Sequence, residues 1–112
     1  MKNKIVLVPF PFDDLSGSKV RPALCLTDTL GVYDHVVISF ITSQLAKANE
    51  TSDLSILTTD LYFNSTGLKV DSAIRLHRLV TIPIYLIKRQ LGVLPLFYHA
   101  QIKQKLKDLF AL

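Results

Sequence analysis

The sequence has one cysteine, one methionine, four glycines and no tryptophan. One cysteine cannot close a disulfide within the chain, so apolar packing has to hold the fold. Cys25 sits in the apolar run Ala23-Leu24-Cys25-Leu26 with no Cys or His at metal-ligand spacing. The expectation is a core thiol in a reducing cytoplasm. Glutamate occurs once, at Glu50, and no carboxylate pair or metal-ligand cluster is evident, so no cofactor is expected. No run reaches the roughly 18 apolar residues of a transmembrane helix, and no membrane association is expected. Residues 5–12 are broken by Pro9 and Pro11 and carry no small-residue cleavage site, so they read as a strand and not as a signal peptide.

What is present suits a globular domain. The chain has 112 residues, 49% of them hydrophobic, enough for one domain over residues 1–112 with its own core. The net charge is +4, and it is unevenly placed. Residues 75–112 hold Arg75, Arg78, Lys88, Arg89, Lys103, Lys105 and Lys107 against Asp108 alone. A basic half favours a polyanion or an acidic partner, although a solvated helix face accounts equally well for the last three lysines.

Ile5-Val6-Leu7-Val8 is apolar on both faces and predicts a central strand ending at Pro9. Phe10-Pro11-Phe12 then holds two rings in an extended segment, either as a platform for unpaired bases or as lids on the core. Residues 13–19 form a turn-rich loop that lacks the second glycine and the Lys-Ser/Thr pair of a P-loop. Further strands are predicted at 22–27, 35–42, 54–58 and 73–81, with a strand or short helix at 84–92. In the 35–42 strand, Val36, Ile38, Phe40 and Thr42 share one face. In the 73–81 strand, Arg78 falls on the face of Ile74, Leu76 and Val80, whereas Arg75 and His77 take the other. That strand, with Arg75, His77 and Arg78, is a candidate wall of a nucleic-acid groove. After Pro95 the spacing of Tyr98, Ile102, Leu106, Leu109 and Phe110 predicts an amphipathic helix. Several short strands and one final helix suggest a small, strongly bent β-barrel with helical additions.

Two stretches stand out chemically. Lys19-Val20-Arg21-Pro22-Ala23-Leu24 puts one arginine at the mouth of an apolar strand, and its planar donor fork matches a phosphate. Ile41-Thr42-Ser43-Gln44 ends another strand in hydroxyls and an amide. An arginine and a hydroxyl at neighbouring strand ends suit phosphoryl chemistry. The plainer alternative is a surface salt-bridge arginine and an ordinary turn.

In order, Ile5-Val6-Leu7-Val8-Pro9-Phe10-Pro11-Phe12, Ser16-Gly17-Ser18-Lys19-Val20-Arg21-Pro22-Ala23-Leu24, Ile41-Thr42-Ser43-Gln44, Asp71-Ser72-Ala73-Ile74 and Leu79-Val80-Thr81-Ile82 resemble the motifs of the MazF/PemK family of toxin endoribonucleases. The resemblance spans nearly the whole chain. It implies an SH3-like barrel with a C-terminal helix, a homodimer with an RNA groove across its interface, and metal-independent cleavage of single-stranded RNA. It also implies a cognate antitoxin whose acidic, disordered segment blocks that groove. The family's catalytic arginine and threonine map to Arg21 and Thr42. Phe12, Ser18, Lys19, Ser43, Gln44, Arg75 and His77 are the candidate RNA contacts around them. The sequence departs from many members in a shorter loop before Arg21 and in Leu76-His77-Arg78.

The chemistry stands beside the resemblance. Attack of a ribose 2′-OH on phosphorus builds negative charge that Arg21 could neutralise and Thr42 could meet with a hydroxyl. An arginine is a poor general base, which leaves His77 or water to move protons. The reading from another class is a non-catalytic SH3-like barrel that binds nucleic acid or protein. Related barrels that poison DNA gyrase use a C-terminal tryptophan, and this chain ends Leu109-Phe110-Ala111-Leu112.

Overall fold

The computed structural model describes residues 1–10 and 19–112. Its strands are β1 (Lys4–Pro9), β2 (Val20–Cys25), β3 (His35–Thr42), β4 (Asp53–Ile56), β5 (Ser72–Pro83) and β6 (Arg89–Val93), followed by the helix α1 (His99–Phe110). Short 3-10 turns occupy Leu45–Lys47, Phe63–Thr66, Ile84–Leu86 and Leu96–Tyr98. The six strands form one sheet in the order β4-β5-β3-β2-β1-β6, with every neighbouring pair antiparallel. The sheet curls into a half-barrel with the single helix at its C-terminal end. This is the mainly β, strongly bent architecture that the strand pattern predicts, and it accords with the SH3-like barrel that the family resemblance implies.

The curl buries both faces, which is why the strands read as unbroken apolar runs rather than as alternating ones. Ile5, Leu24, Ile41, Leu54 and Ile74 point to one face, where Tyr98 and Ile102 pack on them. Their neighbours Val6, Val8, Ala23, Cys25, Ile38 and Phe40 point to the other. The period of two is therefore kept, with apolar side chains on both sides.

Three expectations are corrected. β2 begins at Val20 and not at Pro22, because β1 continues to Pro9 and pairs Val8 with Arg21 and Pro9 with Val20. Arg21 thus lies within a strand. The 84–92 stretch is both of its alternatives in turn, a 3-10 turn and then β6. The apolar stripe of α1 packs only as far as Leu106: Tyr98 and Ile102 are buried and Leu106 rests partly buried on the core, whereas Leu109 and Phe110 are exposed. The helix outruns the sheet, and Ala111 ends it in the left-handed conformation, with the Leu112 N–H donating to Lys107 O at 2.9 Å.

At Gly92 a Cβ would lie 2.2 Å from Ser65 O, because the 3-10 turn Phe63–Thr66 rests against the main chain of β6. Gly92→Ala should therefore destabilise by about 1–3 kcal/mol through forced backbone displacement. A urea melt with an unchanged midpoint would show that this contact is not tight in solution.

Burial pushes the Cys25 thiol up from 9.0 to about 11. An unfolded chain loses that proton near pH 8.5. Between those values the native state holds more protons, so stability falls as pH rises, and the contribution of Cys25 is lost by about pH 11. Tyr98, raised by burial and by Asp60, acts in the same direction at higher pH. Urea melts between pH 8 and 10 should show a shallower decline for Cys25→Ala than for the wild type. Equal slopes would rule out the thiol as the cause.

Candidate active site and nucleic-acid interface

The site begins where the ladder between β2 and β3 ends. The Leu26 N–H donates to Val37 O at 2.8 Å, and Cys25 O accepts from the Asn3 N–H at 2.8 Å on the other side. By alternation, Leu24 and Pro22 turn their main-chain nitrogens toward β3. Pro22 has no N–H to give. The paired residues accordingly stop at Ala23 and Phe40. Continuing that register places Pro22 opposite Ile41 and Arg21 opposite Thr42, just beyond the last paired residues. Both side chains take the face of Ala23 and Phe40.

Two cavities open at this point and share Arg21, Ile41, Thr42 and Gln44. The larger, about 410 Å³, also has Val20, Pro22, Ser43, Lys69 and Arg89 in its walls. The smaller, about 200 Å³, has Phe10, Phe40, Lys47, Arg75 and Arg78. Six cations line the pair, and among the described residues no carboxylate does. The pair is therefore an electropositive groove suited to a phosphate backbone. The Thr42 hydroxyl accepts the Gln44 N–H at 3.0 Å, which fixes the oxygen as an acceptor and orients its proton for donation elsewhere.

A register shift in β5 shapes the smaller cavity. Ser39 pairs with Leu79 and Ile41 with Ile74, so Phe40 alone stands opposite the four residues Arg75, Leu76, His77 and Arg78. Such a bulge re-aims side chains. Strict alternation puts Arg75 and Arg78 on opposite faces, yet both line the same cavity. The bulge is pinned from both sides. The buried Ser39 hydroxyl donates to Arg75 O at 2.6 Å, the Leu76 N–H donates to Ser52 O at 3.2 Å, and Ser52 Oγ lies 2.7 Å from His77 Nδ1. Asp53 holds the Arg75 guanidinium, with Nε donating at 3.0 Å, and Asp53 is itself almost fully buried.

The expected RNA contacts separate. Ser43, Gln44 and Arg75 join Arg21 and Thr42 at the groove. His77 instead lines another cavity with Glu50, Ser52, Lys105 and Asp108. Lys19 is exposed between β1 and β2, lines neither groove cavity, and its carbonyl accepts the Phe10 N–H at 3.2 Å. Phe12 and Ser18 lie outside the described residues. The sequence reading missed Lys47, Lys69 and Arg89, which come from turns and an edge strand. Lys69 had a legible signal nearby. Gly67 has φ +73°, and a Cβ there would sit 2.1 Å from Leu91 O, so the chain leaving Gly67 is laid against β6 at the groove wall. The basic stretch 75–112 is divided: Arg75, Arg78 and Arg89 line the groove, whereas Lys105 donates to Thr51 O at 2.7 Å and Lys103 faces a cavity beside Lys2 and His99. Among the described residues, no group of three His, Cys, Asp or Glu is placed to hold a metal ion. No described helix is long and apolar enough to cross a membrane.

The family model for the PemK-like, MazF-like toxin of type II toxin-antitoxin systems matches residues 1–110. The chain belongs to this family. Its fold is similar to that of the Mycobacterium tuberculosis toxin MazF-mt6, with a TM-score of 0.72, 20% identity and 97% of each chain covered. It is similar also to an endoribonuclease in complex with its cognate antitoxin from a Mycobacterial species, with a TM-score of 0.71, 13% identity, and 100% of this chain and 95% of that one covered. No curated protein sequence matches the chain. In this MazF-like toxin, the end of the β2–β3 pairing is where the family's Arg-Pro and Ile-Thr-Ser-Gln motifs meet.

Asp53→Ala should destabilise the protein by about 3–5 kcal/mol, because it strands a largely buried arginine. Urea denaturation measures this. A loss below about 1 kcal/mol would mean that the Arg75 pair behaves as a surface contact.

Proposed function

We propose that this MazF-like toxin is an endoribonuclease that cuts single-stranded RNA without a metal ion. The observation that carries the reading is that Arg21 and Thr42 line the same two cavities just past the last paired residues of β2 and β3, in a groove lined with cations. The ribose 2′-OH gives its proton to water and attacks the adjacent phosphorus, the P–O5′ bond breaks with the 5′ oxygen taking a proton from water, and a 2′,3′-cyclic phosphate forms. Arg21 neutralises the charge that builds on the phosphoryl oxygens through parallel N–H bonds, and Thr42 adds its O–H. Both groups are preorganised on strands, so little reorganisation is needed at the transition state. Ser43, Gln44 and Arg75 contact the strand to either side. His77 lines a separate cavity, and the mechanism gives it no step.

The partners follow from the same groove. A flexible acidic segment of a cognate antitoxin matches its charge and would exclude RNA by occupying it. The family resemblance and the structural neighbour solved with its antitoxin support this assignment. A closed two-fold dimer is the expected assembly, with Val20 and Val70 at the groove leaving partly exposed apolar surface.

Arg21→Ala should keep the fold and lower cleavage by about 10²–10³-fold. Thr42→Ala should lose less, since water can replace a hydroxyl. Replacing the ribose 5′ of the scissile phosphate with deoxyribose should stop cleavage while binding weakens only modestly. EDTA should change nothing. Efficient cutting of the deoxy strand, or strict dependence on magnesium, would overturn the mechanism.

A further inference from the structure

We infer that Lys69 is a substrate-binding residue that takes an RNA backbone phosphate beside the scissile one, and that the buried Thr66 hydroxyl positions it. The inference rests on the endoribonuclease reading and deepens it.

Lys69 stands to one side of the reacting pair. Arg21 and Thr42 line both cavities of the groove, whereas Lys69 lines only the larger and Arg75 only the smaller. A strand whose scissile phosphate lies at Arg21 and Thr42 therefore runs past Lys69 in one direction and past Arg75 in the other. An ammonium at that place meets the neighbouring phosphate as a point charge.

The main chain around Lys69 is fixed more firmly than an exposed lysine requires. Lys69 and Val70 are exposed, yet the chain is tied on either side of them. Thr66 is fully buried, and its hydroxyl donates to Phe63 O at 2.7 Å and accepts the Leu68 N–H at 3.1 Å. One oxygen thus closes the 3-10 turn and aims the chain that leaves it. Gly67, between the two tied residues, lies against the main chain of Leu91. Beyond Lys69, the Ser72 hydroxyl donates to Val70 O at 2.8 Å, and the Asp71 carboxylate accepts the Thr58 N–H at 2.7 Å. Lys69 is therefore a flexible side chain on a rigid mount. Only that side chain has to be ordered when a phosphate arrives. Lys69 is a binding residue, and Thr66 is a positioning residue.

The test uses the full chain, a labelled single-stranded RNA for cleavage, and the same strand with the scissile ribose replaced by deoxyribose for binding. Lys69→Gln should raise KM and Kd by about 10-fold, as expected for a lost charge-assisted bond. Its kcat should not change, because the contact is equal in the ground and transition states. It should also reduce the slope of log K against log salt by about 0.7, the contribution of one phosphate on a single strand. Lys69→Arg should restore the slope. Lys107→Gln, on α1, should leave KM, Kd and slope at the wild-type values. Thr66→Val removes the hydroxyl and should raise KM alone, whereas Thr66→Ser keeps both hydrogen bonds and should not. Adding Thr66→Val to Lys69→Gln should cost nothing further, because the two act as a unit. Circular dichroism checks that each variant is folded. If Thr66→Val does not fold, Ser72→Ala, which unties Val70 O, takes its place in the same comparison. A Lys69→Gln protein with the KM and slope of Lys107→Gln would overturn the role of Lys69. Additive costs would overturn the positioning role. A folded wild type that leaves RNA uncut would refute the endoribonuclease reading, and the salt slope on the uncleavable strand would still decide Lys69. A wild type that binds that strand with no salt dependence would refute both.

Discussion

Everything at the groove depends on one missing hydrogen. Pro22 turns its nitrogen toward β3 and has no proton to donate, so the β2–β3 ladder ends at Ala23 and Phe40. Beyond that point the two-way exchange of ladder bonds stops, although the Pro22 carbonyl still turns toward β3. Two positions further along that register, Arg21 falls opposite Thr42, and both line the two cavities. A non-proline residue at position 22 could continue the ladder toward Ile41. The Arg-Pro dipeptide is therefore one device: the proline ends the ladder beside which the arginine places its charge. β1 holds Arg21 rigid from the other side through its pairing with Val8.

The curled sheet supplies the rest. With apolar side chains on both faces, it has no solvated flat side, and its polar residues collect at strand ends, at turns and at the β5 bulge. Those are the places where functional side chains can be aimed without disturbing the core. The bulge shows how this works at low cost. A buried serine hydroxyl, a main-chain bond to Ser52 and the Asp53–Arg75 pair satisfy the polar groups that the lost ladder leaves behind. Two arginines three positions apart then share one cavity.

Charge is assembled in the same way, from elements far apart in sequence. Arg21, Lys47, Lys69, Arg75, Arg78 and Arg89 come from β2, two turns or loops, β5 and β6, and they meet with no carboxylate among the lining residues described. The lysines of α1, three of the seven cations in residues 75–112, line neither groove cavity. The potential that attracts a polyanion is thus a property of the groove, to which the basic segment contributes Arg75, Arg78 and Arg89.

The sequence by itself determined the class of the fold and marked the residues proposed as its reactive pair. Apolar runs bounded by turn residues locate the strands, with residues 35–42 matched end to end. The stripe from Tyr98 locates the helix. The spacing of Arg-Pro and Ile-Thr-Ser-Gln marks Arg21 and Thr42. These signals are legible because they are local: period, proline chemistry and turn residues act over a few positions. Only the tertiary structure decided that Arg21 lies inside β2, that Arg78 joins Arg75 while His77 turns to a different cavity, and that Lys47, Lys69 and Arg89 complete the groove. Each of these depends on register between distant strands. Period-two alternation predicts the face of a residue only while the ladder is regular, and in β5 it is broken where the functional residues lie.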